Sequence, residues 1–212
     1  AETLRRAGHA VERVDPPVDV PAFTAAFRVL WAAGAGVFLR RVHQALLEKA
    51  PDWTRSVLDR DGLFRALVSL PRRRVEPFTL RLARWQDSMT PSALWLAEQN
   101  FARMESDFSE FFSQWDLWMG PTLMRPPVDI GGLETSGSDD DVEQSLLSYV
   151  GWLPVANATG LPAISVPSTP APDGQPLGVQ FMAPWGADQR LIDVASELER
   201  LAPWPLIAHK PA

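Results

Sequence analysis

The sequence predicts an α/β fold, part of a mixed β-sheet flanked by helices. Three observations carry this prediction. Long segments at 24–50, 90–114 and 186–201 space their apolar residues mostly three or four apart, the helical period. Four short runs, near 9–14, 115–120, 163–166 and 177–183, are apolar or alternating and stop at proline, as strands do. The chain also opens in a helix that is already ending, which is expected of a piece of a larger sheet and not of a self-contained one.

Leu4, Arg5 and Arg6 precede Gly8, a favourable residue just past a helix end. His9 to Val14 alternates and is halted by Asp15-Pro16-Pro17, so a short strand is predicted. From Thr24 to about Ala50 a helix is predicted with Phe27, Leu30, Trp31, Val37, Phe38, Leu46 and Leu47 on its apolar face. Gly34 and Gly36 within it resemble a phosphate-binding pair, but no strand precedes them. Close helix packing through small residues accounts for them better. Residues 51–76 predict short helices broken by Pro51, Gly62 and Pro71, with a basic run Arg72-Arg73-Arg74 on a solvated face.

Thr90-Pro91 marks a helix start, with Thr as N-cap and Pro in the first turn. This helix is predicted to reach about Gln114, with Leu94, Trp95, Phe101, Met104, Phe108, Phe111 and Phe112 along one face. Asp116 to Thr122 predicts a buried strand ending at Pro121. Residues 125–143 are loop, and Asp139-Asp140-Asp141 lacks the spaced pattern of a Ca²⁺ loop, so helix N-terminal capping is expected. Leu153 to Pro162 predicts a polar turn. Residues 163–166 and 177–183 predict a hairpin around a loop containing Asp173-Gly174. Gly186-Ala187-Asp188 then opens a helix with Leu191, Ile192, Val194, Ala195, Leu198 and Leu201 inward.

Composition narrows the function classes. The chain has 212 residues, a net charge of −6, 46% apolar and 22% charged residues. These values exclude a disordered chain and provide no general basic surface for nucleic acid. No uninterrupted apolar run of about 18 residues occurs, so no membrane association is expected. The first residues carry charge and no apolar stretch, unlike a signal peptide. The absence of cysteine removes disulfides, thiolate metal sites and Cys nucleophiles, and fits a cytoplasmic location. Nine tryptophans require extensive apolar surface to pack against.

No complete catalytic apparatus is visible. His9, His43 and His209 lie far apart, without metal-ligand spacing, so no metal and no cofactor is expected. There is no G-x-S-x-G elbow and no S-x-x-K. Ser136-Gly137-Ser138 sits in an acidic loop, a poor support for a nucleophile. Lys49 and Lys210 are the only lysines, and neither has a setting that would bury and activate it.

The last third nevertheless carries an ordered set of motifs. Asn157-Ala-Thr159-Gly160-Leu-Pro162-Ala163 precedes a strand, Gly174-Gln-Pro176-Leu-Gly178-Val-Gln180 forms the next, and Gly186-Ala-Asp188-Gln-Arg-Leu191 starts a helix. In this order, across about 35 positions, they resemble the C-terminal region of the amidase signature family. Asp116-Leu-Trp-Met-Gly-Pro121-Thr122 and Gly8 to Pro17 are similar to earlier segments of that family. Leu153 and Gly120 depart from it, standing where threonine is common.

The resemblance implies the C-terminal part of the amidase signature fold, with residues 1–212 the incomplete C-terminal portion of one amidase domain. It implies hydrolysis of linear amide C–N bonds by a Ser–Ser–Lys triad through an acyl-enzyme. That triad lies in the family's N-terminal half, and no residue here matches it. The catalytic residues are therefore expected on an N-terminal amidase segment acting as partner, this chain alone is expected to be inactive, and the substrate is expected to be a small-molecule amide. Trp118, Thr122 and Trp152 are the candidate pocket-lining residues, with core packing the competing reading for each. The alternatives are a noncatalytic stand-alone binding domain and, less favoured, a fragment of a glutamine amidotransferase subunit.

Overall fold

The structure is a computed structural model that describes residues 1–51, 75–133, 138–168, 170–172 and 174–204. The short helices expected at 51–76, the Arg72–Arg74 run, Ser136, Asp173, His209 and Lys210 lie outside the described residues. Seven helices and three strands are described: α1 (Glu2–Arg6), α2 (Val20–Lys49), α3 (Pro77–Asp87), α4 (Pro91–Phe111), β1 (Trp118–Pro121), α5 (Asp139–Val150), α6 (Leu153–Thr159), β2 (Ala163–Pro167), β3 (Gly178–Met182) and α7 (Asp188–Leu201). They fall into two compact units.

The first unit comprises Ala1–Val18, Ala102–Asp129 and Leu147–Ala212. Its centre is a three-stranded antiparallel sheet in the order β1-β3-β2. Trp118 pairs with Met182 and Pro121 with Val179, while Ala163 pairs with Met182 and Pro167 with Gly178. Because strand side chains alternate between faces, this register puts Met119, Phe181, Val179, Ile164 and Val166 on one face. That face packs against Leu4 of α1 and Leu191 and Val194 of α7. Phe181, 2% exposed, sits at its middle.

The hairpin and the last helix form where the sequence places them, although Ile192 and Leu201 of α7 are exposed. The strand expected at 9–14 does not form. Local side-chain bonds hold that segment instead. The Arg5 guanidinium donates to the Val11 carbonyl at 3.0 Å, and His9 Nε2 lies 2.8 Å from Glu197 of α7. The turn expected at 153–162 is largely a helix, α6. Pro154 fits its first turn, and Gly160, in the left-handed region at φ 67°, ends it. Thr159 Oγ1 donates to the Val155 carbonyl one turn back, so it serves the helix and not a turn amide.

The second unit comprises Asp19–Phe101 and Ile130–Leu146. Asp19 caps α2 by accepting from the Ala22 amide at 3.1 Å. The buried face of α2 is not the one its bulky residues mark. Ala26, Ala32, Ala35 and Leu39 are buried, whereas Leu30, Val37, Phe38 and Leu46 are exposed. Small residues face inward because α3 comes close: a Cβ on Gly36 would lie 2.1 Å from Gln86 Oε1. Gly34, two residues away, faces open space. By length and composition α2 is apolar enough to cross a bilayer, which a search for unbroken apolar runs misses because Arg28 interrupts it. Here its inner face packs on α3, where Trp31 meets Phe78 edge-on at 5.1 Å.

Both expected caps are present. Thr90 Oγ1 accepts from the Ala93 amide at 3.2 Å at the start of α4. Ser138 Oγ accepts from the Asp141 amide and donates to its carboxylate, a capping arrangement at the start of α5. On α4, Ala97, Phe101, Met104 and Phe108 are buried, but Leu94 and Trp95 are exposed.

Candidate functional site

The second face of the sheet differs from the first in chemistry. Alternation gives it Trp118, Gly120 and Thr122 from the β1 side, Gly178, Gln180 and Met182 from β3, and Ala163, Ser165 and Pro167 from β2. Two glycines shape it. A Cβ on Gly178 would lie 2.7 Å from Thr122 Oγ1 and 3.4 Å from Ser165 Oγ. Its missing side chain lets the two hydroxyls meet across the central strand, where they hydrogen-bond. A Cβ on Gly120 would lie 2.3 Å from the Trp118 ring. The indole therefore folds back along its own strand onto Gly120, beside Gln180, which is Gly120's cross-strand partner.

The Trp118 ring also meets Trp152 edge-on, with centroids 6.1 Å apart and planes at 75°. Trp152 precedes α6, and the loop after β1 is fastened beside it. The Met124 amide donates to the Tyr149 carbonyl at 3.0 Å, the Met124 side chain fills the space over Gly151, and the Arg125 guanidinium lies 5.5 Å from the Tyr149 ring centre. Thus Trp118 and Trp152 form one aromatic cluster. Thr122 stands further along β1, on the same face, in a hydroxyl pair.

Sequence reasoning missed two members of this face. Ser165 is exposed and paired with Thr122. Gln180 is 2% exposed, and its Oε1 has no hydrogen-bond partner among the described residues. The signal for Gln180 was present in Gly178-Val-Gln180, because a spacing of two in a strand puts glycine and glutamine on one face. Linking them to Thr122 and Ser165 required the register of all three strands.

This face can bind and shape but lacks an activated nucleophile. The Ser165 hydroxyl pairs with a threonine, not with a lysine or histidine. Lys49 lies exposed at the end of α2. Among the described residues no group of three His, Cys, Asp or Glu is placed to hold a metal ion. The arrangement is an aromatic wall, a hydroxyl pair and a buried amide without a bond-breaking group.

A polar sheet face of this kind, backed by an apolar face and helices, suits one wall of an α/β enzyme. The amidase family profile matches residues 1–192, and the chain belongs to that family. It is 30% identical over 207 residues to the protein named amidase AmiC of Mycobacterium leprae (strain TN), covering 98% of this chain and 40% of that protein. It is 37% identical over 103 residues to the 6-aminohexanoate-cyclic-dimer hydrolase of Paenarthrobacter ureafaciens, covering 46% of this chain and 20% of the relative. A solved structure of 6-aminohexanoate cyclic dimer hydrolase superposes with a TM-score of 0.73 at 23% identity, covering 96% of this chain and 40% of that one. The fold is that of the amidase signature enzymes. The chain spans about 40% of the length of the relative it matches end to end.

Proposed function

We propose that residues 1–212 form the C-terminal part of a single amidase domain, belonging to a cytoplasmic enzyme that hydrolyses linear amide C–N bonds. The catalytic serines and lysine reside on the N-terminal part, outside this chain. In the proposed reaction a serine oxygen bonds to the amide carbonyl carbon, and the C–N bond breaks as the amine leaves with a proton. Water then cleaves the resulting ester to release the acid. One combination of observations supports this reading: family membership along most of the chain, joined to a site that has walls but no nucleophile–base pair.

In this reading Trp118 and Trp152 wall the acyl pocket, and Thr122 presents its hydroxyl along the same face. The test is a comparison of aryl and short aliphatic amides on the longer enzyme carrying Trp152→Ala or Thr122→Val. Loss of kcat/KM for one substrate class and not the other supports a pocket role. An equal loss for both, tracking lost stability, assigns these residues to core packing.

A further inference from the structure

We infer that the outer edge of β2 is a strand-addition site, completed by a β-strand of the polypeptide lying outside residues 1–212. This rests on the amidase reading above and specifies where the missing part attaches. The hydrogen-bond phase of the sheet identifies the atoms. The Ser168 amide donates to the Leu177 carbonyl at 2.8 Å, and the Ala183 amide donates to the Pro162 carbonyl at 3.1 Å. In an antiparallel ladder bonded pairs alternate, so Ile164 and Val166 also direct their N–H and C=O groups at β3. Ala163, Ser165 and Pro167 direct theirs the other way. The opposite side of β3 is taken by β1, as the Thr122 amide donating to the Gly178 carbonyl at 3.0 Å confirms.

The outward edge therefore presents two N–H donors, from Ala163 and Ser165, and three carbonyls. All three residues are exposed, and no described strand pairs with them. An edge that faces water permanently is normally blunted by charge, a bulge or a mid-strand proline. Ala163-Ile-Ser-Val-Pro167 has no charge, and its proline comes only at the end. The edge of β1 differs: the segment His9 to Val14 runs beside it, and both line one groove of about 480 Å³. The relative matched end to end extends well beyond the matched part, so polypeptide is available to cover the β2 edge. Pro167 lacks an N–H and limits the ladder to about five residues.

The experiment is residue-resolved amide hydrogen exchange on residues 1–212 and on the longer gene product that carries them behind its N-terminal part. Ile164 and Val166 are expected to exchange slowly in both. Ala163 and Ser165 are expected to exchange rapidly in residues 1–212 and at least ~100-fold more slowly in the longer protein. Ala163→Pro removes an outward N–H while leaving every β2–β3 bond in place. It is expected to abolish the added protection at Ser165 without changing exchange at Ile164 or Val166.

Slow exchange of Ala163 and Ser165 in residues 1–212 at every dilution would mean that the edge is already paired, and would overturn the inference. Protection that appears only with dimer formation would assign the edge to a second copy and also overturn it. Fast exchange in a longer protein that hydrolyses amides would defeat the inference and leave the functional reading intact. Protection without amide turnover would do the reverse.

Discussion

Gln180→Met changes the least satisfied atom of the site. Gln180 is 2% exposed and its Oε1 has no partner among the described residues. A buried unsatisfied amide costs about 1–3 kcal/mol, and methionine has a similar length with no strong polar group to satisfy. Residues 1–212 carrying Gln180→Met should therefore gain about 1–3 kcal/mol. With a urea m-value of about 2 kcal/mol/M, that corresponds to a midpoint raised by roughly 0.5–1.5 M. Tryptophan fluorescence suits the assay because the Trp118 indole lies beside the mutated side chain. Gln180→Glu is the control, and burying its carboxylate in the same place should destabilise. A loss of 1 kcal/mol or more for Gln180→Met would mean that Oε1 is paired in the folded chain and that the account of this face is wrong. In the longer enzyme the sign should reverse if a donor from the missing part reaches Oε1.

Further predictions concern close approach and capping. Gly34→Ala should stabilise by about 0.5–1 kcal/mol because the helix gains propensity and the added methyl meets open space. Gly36→Ala should lose that gain, since its methyl displaces Gln86 and breaks the 2.8 Å bond from Arg40; equal unfolding midpoints for the two variants would refute the α2–α3 packing. Gly178→Ala should separate Thr122 from Ser165 and cost about 1–3 kcal/mol through overpacking, with loss of the Ser165 hydroxyl contact checked crystallographically. Ser138→Ala should cost about 0.5–2 kcal/mol by uncapping α5, read from thermal unfolding; no change would show that the cap contributes nothing.

The sequence made the sheet's hairpin legible because its period-two pattern and its prolines agree with each other. Ala163 to Pro167 and Gly178 to Met182 have no competing local structure. The caps at Thr90 and Ser138 were legible for a similar reason, since a cap is decided within four residues. The inner face of α2 was not, because apolar periodicity favours bulky residues and the close α3 contact selects alanine and glycine instead. The segment 9–14 alternates like a strand, but alternation does not supply a partner, and Arg5 took the Val11 carbonyl. At the site, Trp118, Thr122 and Trp152 came from position within motifs. Ser165 and Gln180 became visible only when the register set them beside Thr122 and Trp118.

The most direct measurement is amide turnover by purified residues 1–212, with and without the N-terminal part of the same enzyme supplied in trans, using an aryl amide that releases a coloured amine. The account predicts no turnover by residues 1–212 alone and turnover when the N-terminal part is present. It also predicts that replacing the serine nucleophile on that added part abolishes the activity. Sustained turnover by residues 1–212 alone, or none when the two parts form a stable folded complex, would contradict it.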